Sequence, residues 1–106
     1  MPRKARLDAP GVLHHVMVRG IERTDVFRDD ADRKAFLSRV AQLVVSTKTR
    51  ILAWVLMPNH LLLFSGPEGI SQFMRHLLTG YAQYFNRRHH RRGHLFQQRR
   101  KVLNGN

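Results

Sequence analysis

The order of hydrophobic patterns along this chain predicts an α+β fold. It would be a four-stranded antiparallel sheet with two helices on one face, the ferredoxin-like or RRM-like split βαβ arrangement. Three observations predict it. Segments of period-two alternation and segments of helical spacing follow one another as strand, helix, strand, strand, helix, strand. Turn-forming residues punctuate the joints. A length of 106 residues with 42% apolar content suits one small domain with one core, spanning 1–106.

Gly11 to Arg19 alternates and reads as the first strand. Val12, His14, Val16 and Val18 share one face, and Leu13, His15, Met17 and Arg19 the other. Gly20 to Arg28 reads as a polar loop. Asp29, Asp30 and Asp32 supply a cap and first-turn negative charge for a helix over about residues 30–47. Phe36, Val40, Leu43 and Val44 fall on one stripe of it. Thr47 to Arg50 turns the chain into a second strand, Ile51 to Met57, in which Trp54 alternates with Leu52 and Leu56 and reads as core. His60 to Phe64 is the third strand. Ser65-Gly66-Pro67-Glu68-Gly69 breaks the pattern. Ser71 is positioned to cap a second helix over about residues 71–88, with the stripe Phe73, Met74, Leu77, Leu78, Tyr81 and Phe85. Asn86 to Gly93 reads as a basic connector, and His94 to Leu103 as a fourth strand.

The Met57-Pro58-Asn59-His60 joint is the most specific local signal. Pro58 has no N–H to donate and Asn59 tolerates unusual backbone angles, so the pair ends one strand and starts the next. His60 then opens a strand beside a turn, where its ring can reach solvent or a ligand.

Charge is the second strong signal. Nineteen Lys+Arg against seven Asp+Glu give a formal net charge of +12. No acidic residue follows Glu68, whereas Arg75, Arg87, Arg88, Arg91, Arg92, Arg99, Arg100 and Lys101 do. Such a one-sided field attracts polyanions, and arginine suits forked contacts to phosphate. A solvated basic tail or a membrane-surface patch is the plainer reading. Aromatic residues in the same segment favour nucleic acid. The absence of cysteine excludes disulfides and thiolate metal sites and makes a cytoplasmic setting the default. No apolar run approaches the ~18 residues of a membrane span, and the basic N-terminus lacks a signal peptide's apolar stretch.

The Met57-Pro58-Asn59-His60 segment and its aliphatic continuation resemble the signature of the REP-associated tyrosine transposases, single-tyrosine transposases of the HUH class in the IS200-like family. Further matching pieces occur in order along most of the chain: Ala9-Pro10-Gly11, His15-Val16, Arg19-Gly20, Val26-Phe27-Arg28-Asp29-Asp30, Ala53-Trp54, Leu78-Thr79-Gly80-Tyr81, Tyr84-Phe85-Asn86 and Gly93-His94-Leu95-Phe96-Gln97. The resemblance implies the same split βαβ fold. It implies cleavage and joining of single-stranded or hairpin DNA, in which a tyrosine oxygen attacks a phosphodiester and a histidine pair holds Mg²⁺ or Mn²⁺. In that motif two histidines alternate on one strand face. Here the first is His60 and the second position is Leu62, which has no lone pair to offer a cation. The family's nucleophile lies on a helix after the last strand, and no such helix is expected before Asn106. Family members often act as dimers, so a homodimer is an expectation from resemblance.

The expected function is therefore a transposase-family domain that binds single-stranded or hairpin DNA and is catalytically degenerate. A non-enzymatic RNA- or single-strand-binding module is the alternative. Tyr81 and Tyr84 are the only tyrosines and hence the remaining nucleophile candidates. Tyr81 continues the core stripe, and Tyr84 lies off its centre. His60 is the metal candidate. Arg19, Arg87, Arg88, Arg91, Arg92, Arg99, Arg100 and Lys101 form the expected DNA-binding set. His15 can line the open face or serve structurally. His76, His89 and His90 read as solvated residues.

Overall fold

A computed structural model describes residues 14–66, 68–97 and 101–104. Strand β1 (His14–Arg19) leads through a short 3-10 turn (Ile21–Arg23) to helix α1 (Asp30–Thr47). Strands β2 (Ile51–Met57) and β3 (His60–Ser65) follow, then helix α2 (Ile70–Arg88) and strand β4 (Lys101–Asn104). β3 pairs antiparallel with both β1 and β2, and β4 runs antiparallel along the far side of β1. The sheet order is β2-β3-β1-β4. The architecture is α+β, as the periodicity predicts.

Alternation in the strands separates two faces. Val16 and Val18 of β1 and Leu61 and Leu63 of β3 are fully buried. Phe36 and Val40 of α1 and Phe73, Met74, Leu77, Tyr81 and Phe85 of α2 join them in one core, so both helices lie on that face. Leu43, Val44 and Leu78 pack at its margin. Each large apolar side chain taken from water there contributes about 1.5–3 kcal/mol. Asp29 caps α1: its carboxylate accepts the Asp32 N–H at 3.0 Å, satisfying one of the donors a helix start leaves unpaired.

The structure departs from the sequence reading at five places. The loop after β1 is not simply polar. Val26 and Phe27 are buried, and Phe27 forms an aromatic cluster with Phe36 and Tyr81 at centroid separations of 5.2 and 5.5 Å. Ser71 does not cap α2. The cap is Gly69 in the left-handed conformation (φ 73°), and an added Cβ would lie 2.6 Å from the Thr47 carbonyl oxygen. The second helix ends at Arg88 as expected, so the connector begins at His89 and not at Asn86. Trp54 is not core: it faces the same way as Leu63, but β2 is an edge strand, and the residue is 48% exposed. Residues 94–97 do not continue as a regular strand. Leu95 and Phe96 are both buried, which alternation in a strand forbids, and only Phe96 forms a bridge, to Gly20. Gly11–Leu13, Arg99 and Arg100 lie outside the described residues.

Candidate nucleic-acid interface

The Pro58-Asn59 turn is held rigidly by the loop after β1. The Asn59 carbonyl accepts the Gly20 N–H at 2.8 Å, and the Pro58 carbonyl accepts those of Val26 and Phe27 at 2.7 and 3.2 Å. Gly20 is needed for this approach. A Cβ there would sit 2.1 Å from the Thr24 carbonyl oxygen, far inside van der Waals contact. The return segment is stitched to the same place. Ile21 N–H donates to the Leu95 carbonyl at 2.8 Å, and Gln97 N–H to that of Arg19 at 2.9 Å. Three stretches distant in sequence therefore meet at the end of β1 and the start of β3.

Register puts the candidate side chains on the helix-free face. Arg19 lies opposite His60, Met17 opposite Leu62 and His15 opposite Phe64. The His15 ring meets the Phe64 ring edge-on at 4.7 Å, an aromatic contact that gives it a packing role. Leu62 is half-buried on the face that His60 occupies, two residues further on. Arg19, Gly20, Arg23, Asn59, His60 and Gln97 enclose a cavity of about 480 Å³. The Asn59 amide oxygen lies 3.0 Å from His60 Nδ1, so with Asn59 accepting, the other ring nitrogen is the one left for a ligand. Among the described residues, no group of three His, Cys, Asp or Glu stands close enough to hold a metal ion. The sequence singles out neither Arg23 nor Gln97 as a site residue, although Gln97 ends one of the pieces that match the family. Arg23 is one arginine among many, and the backbone pairing around the Gly20–Phe96 bridge brings Gln97 to the same place.

A second, shallower cavity of about 370 Å³ runs between α2 and residues 93–97, and Gln97 lines both. Asn86 stands in its wall, donating to the Gly93 carbonyl at 2.9 Å and accepting from Arg91 at 2.8 Å. Arg91 also lies over the Phe85 ring. Arg87 and Arg92 are exposed.

Arg88 is placed differently. It grips Asp29 with both nitrogens at 2.7 and 2.8 Å and reaches Asp32 at 2.7 Å. Asp32 is fully buried and also accepts from the Arg28 N–H at 3.0 Å, the Tyr84 hydroxyl at 3.0 Å and, at 2.9 Å, pairs with His89 Nε2. Burial alone would raise the Asp32 carboxyl, but the Arg28 amide and the Arg88, His89 and Tyr84 donors outweigh it and hold the group below its usual range. The hydrogen bond from Arg88 lowers Asp29 as well. His89 is thus a largely buried partner of a carboxylate and not a solvated residue. His76 and His90 are exposed, as expected.

Neither tyrosine faces the open side of the sheet. Tyr81 is fully buried, and its hydroxyl donates to the Val26 carbonyl at 2.5 Å. Burial pushes that hydroxyl far above the ordinary tyrosine range. Tyr84 is half-buried on the helix side, where burial and then its bond to Asp32 raise its hydroxyl. Of Lys101 the backbone pairs with Met17.

The family described as "Transposase IS200 like" matches residues 10–104. Similar solved structures include a candidate transposase from Deinococcus radiodurans R1, with 18% identity and a TM-score of 0.67, covering 86% of this chain and 76% of that one. Another is a REP-associated tyrosine transposase bound to a REP hairpin, with 17% identity and a TM-score of 0.66, covering 91% of this chain and 57% of that one. At these identities the two structures establish likeness of fold. No curated protein matches the chain.

Proposed function

The chain belongs to the IS200-like transposase family, and we propose that this domain binds single-stranded or hairpin DNA without cutting it. We read its sheet as the ferredoxin-like arrangement, with β1 and β3 central and the helices behind them. The observation that carries the proposal is the cavity on the open face, lined by Arg19, Arg23 and His60 with no carboxylate among its described lining residues. Guanidinium groups so placed donate to phosphate oxygens. The second cavity shares Gln97 with the first, and Arg91 donates to Asn86 in its wall. The REP hairpin carried by the similar transposase makes a hairpin the first probe to use.

The chemistry of the open face does not suit the cation that the family resemblance implied. A Mg²⁺ or Mn²⁺ ion beside His60 would find one imidazole, a leucine at the neighbouring position, and two arginines whose charge repels it. Tyr81 has no path from its oxygen to the open face. On this reading the domain is a binder within a transposase family, acting in the cytoplasm. The resemblance implies a homodimer, which sedimentation velocity tests.

Fluorescence anisotropy with a labelled DNA hairpin tests the proposal. Affinity should fall by roughly 0.7 log units per phosphate contact for each tenfold rise in salt on a single strand. It should fall further when Arg91 and Arg92 are replaced by Glu. Affinity indifferent to salt and to that replacement defeats the proposal. Tighter binding to RNA of the same sequence makes it an RNA-binding module instead.

A further inference from the structure

We propose that the cavity at Arg19, Arg23 and Gln97 is a phosphodiester-binding site that works without a metal ion, replacing a cation by fixed guanidinium charge at the same end of the sheet. This rests on the DNA-binding reading and names the group that reads the backbone.

Four features of the site argue for it. Arg19 and His60 are cross-strand neighbours, so their side chains leave the sheet together. Arg23 comes from a turn in which Glu22 and Arg23 both hold positive φ, 50° and 62°. Such a conformation is unfavourable at a residue with a side chain, so the surrounding hydrogen bonds must enforce it. Those bonds are present on both sides: the Gly20 N–H to Asn59 and the Ile21 N–H to Leu95. Last, neither Arg19 nor Arg23 has a carboxylate partner among the described residues, in contrast to Arg88.

The donors suit a tetrahedral anion. Arg19 and Arg23, from adjacent elements, line the cavity with Gln97, and with Nδ1 held by Asn59 the other nitrogen of His60 remains for a bridging oxygen. Two fixed positive charges favour an anion and oppose a divalent cation. A phosphodiester of a DNA backbone carries one negative charge and two unshared oxygens, which two forks can bracket.

Two measurements on the full chain separate this inference from the broader reading. In the first, 15N-labelled protein is titrated with inorganic phosphate while the Arg19 and Arg23 Nε–H and Gln97 amide signals are followed by NMR. Saturable shifts confined to these groups, unchanged by EDTA, are expected. In the second, hairpin affinity is measured in EDTA and in Mn²⁺ for the wild type, Arg23→Ala and Arg19→Ala. Each substitution should weaken binding about tenfold, the range of a lost charged hydrogen bond, and Mn²⁺ should make no difference. Leu62→His, which places a second imidazole on the His60 face, is the control that should gain Mn²⁺ binding. If phosphate shifts the signals but no hairpin binds, the site stands and the DNA reading falls. If hairpins bind the two alanine variants as tightly as the wild type, or only with Mn²⁺, the site inference falls and the DNA reading stands.

Discussion

Arg88 and Arg23 are the same residue type in two very different settings. Arg88, at the end of α2, closes onto Asp29 and Asp32 and joins the helices to each other. Arg23, on the turn after β1, stands in a cavity wall that contains no acid. A count of basic residues treats them alike. What separates them is which carboxylates their side chains reach: Arg88 meets Asp29 and Asp32 at the start of α1, whereas Arg23, though Glu22 and Asp25 flank it in sequence, pairs with no carboxylate among the described residues. The arginine-rich C-terminal run is therefore not one surface, since part of it belongs to the fold.

The largest expected effect concerns the scaffold that both regions share. Gly20→Ala would drive a Cβ into the Thr24 carbonyl and detach the loop from the Pro58 turn. A loss of at least about 3 kcal/mol is expected, read as a collapse of Tm in a thermal melt. A melt like the wild type's would show that the loop can be rebuilt without that contact, and the cavity's geometry would lose its support.

Next comes the paired side of the comparison. Asp32→Ala leaves Arg88, His89 and Tyr84 without their shared acceptor and should cost about 3 kcal/mol by urea unfolding. Hairpin affinity should stay within about twofold when corrected for folded fraction, an equilibrium change of about 0.4 kcal/mol. A specific loss of DNA binding would instead put the Arg88 region in the interface.

Acid should act on the same side. Asp29 and Asp32 both titrate below their ordinary values in the folded state. Their contribution is fully present above the unfolded carboxylate value of about 4 and is lost as pH falls through the lowered folded values. Circular dichroism should show Tm falling below about pH 4, and Asp32→Asn should make that fall shallower. An identical acid profile in the variant would remove Asp32 from the account.

The smallest stability effect belongs to the unpaired side. Arg23→Ala should move unfolding free energy by no more than about 0.5 kcal/mol, since its side chain has no partner among the described residues. A large loss would mean that Arg23 holds the turn and not a ligand.

What could be read in the sequence followed from repetition. Both helices, the first three strands and the burial of Val16, Val18, Phe36 and Tyr81 follow from alternation or helical spacing within one segment. The errors arose where position depended on a distant segment. Val26 and Phe27 looked like loop residues because the helix pair that covers them lies elsewhere in the chain. Trp54 had a core residue's spacing, but spacing does not reveal that β2 is at the edge. The shared face of Arg19 and His60 needed only the period of two strands and their pairing. Arg23 and Gln97 needed the Gly20–Phe96 bridge, which no local pattern announces. Likewise, nothing in an arginine run tells that Arg88 would find Asp29 across more than fifty residues.

The exposed edge strand supplies an optical instrument. Trp54 is the chain's only tryptophan, and with 48% of its surface open on β2 it should emit at long wavelength and be quenched readily by acrylamide. DNA held at the Arg19 cavity, beyond the opposite side of β3, should leave that emission nearly unchanged. A body that covers the outer edge of β2 should shift it to the blue. One spectrum thus reports on which margin of the sheet has been occupied, without a label and without altering a residue.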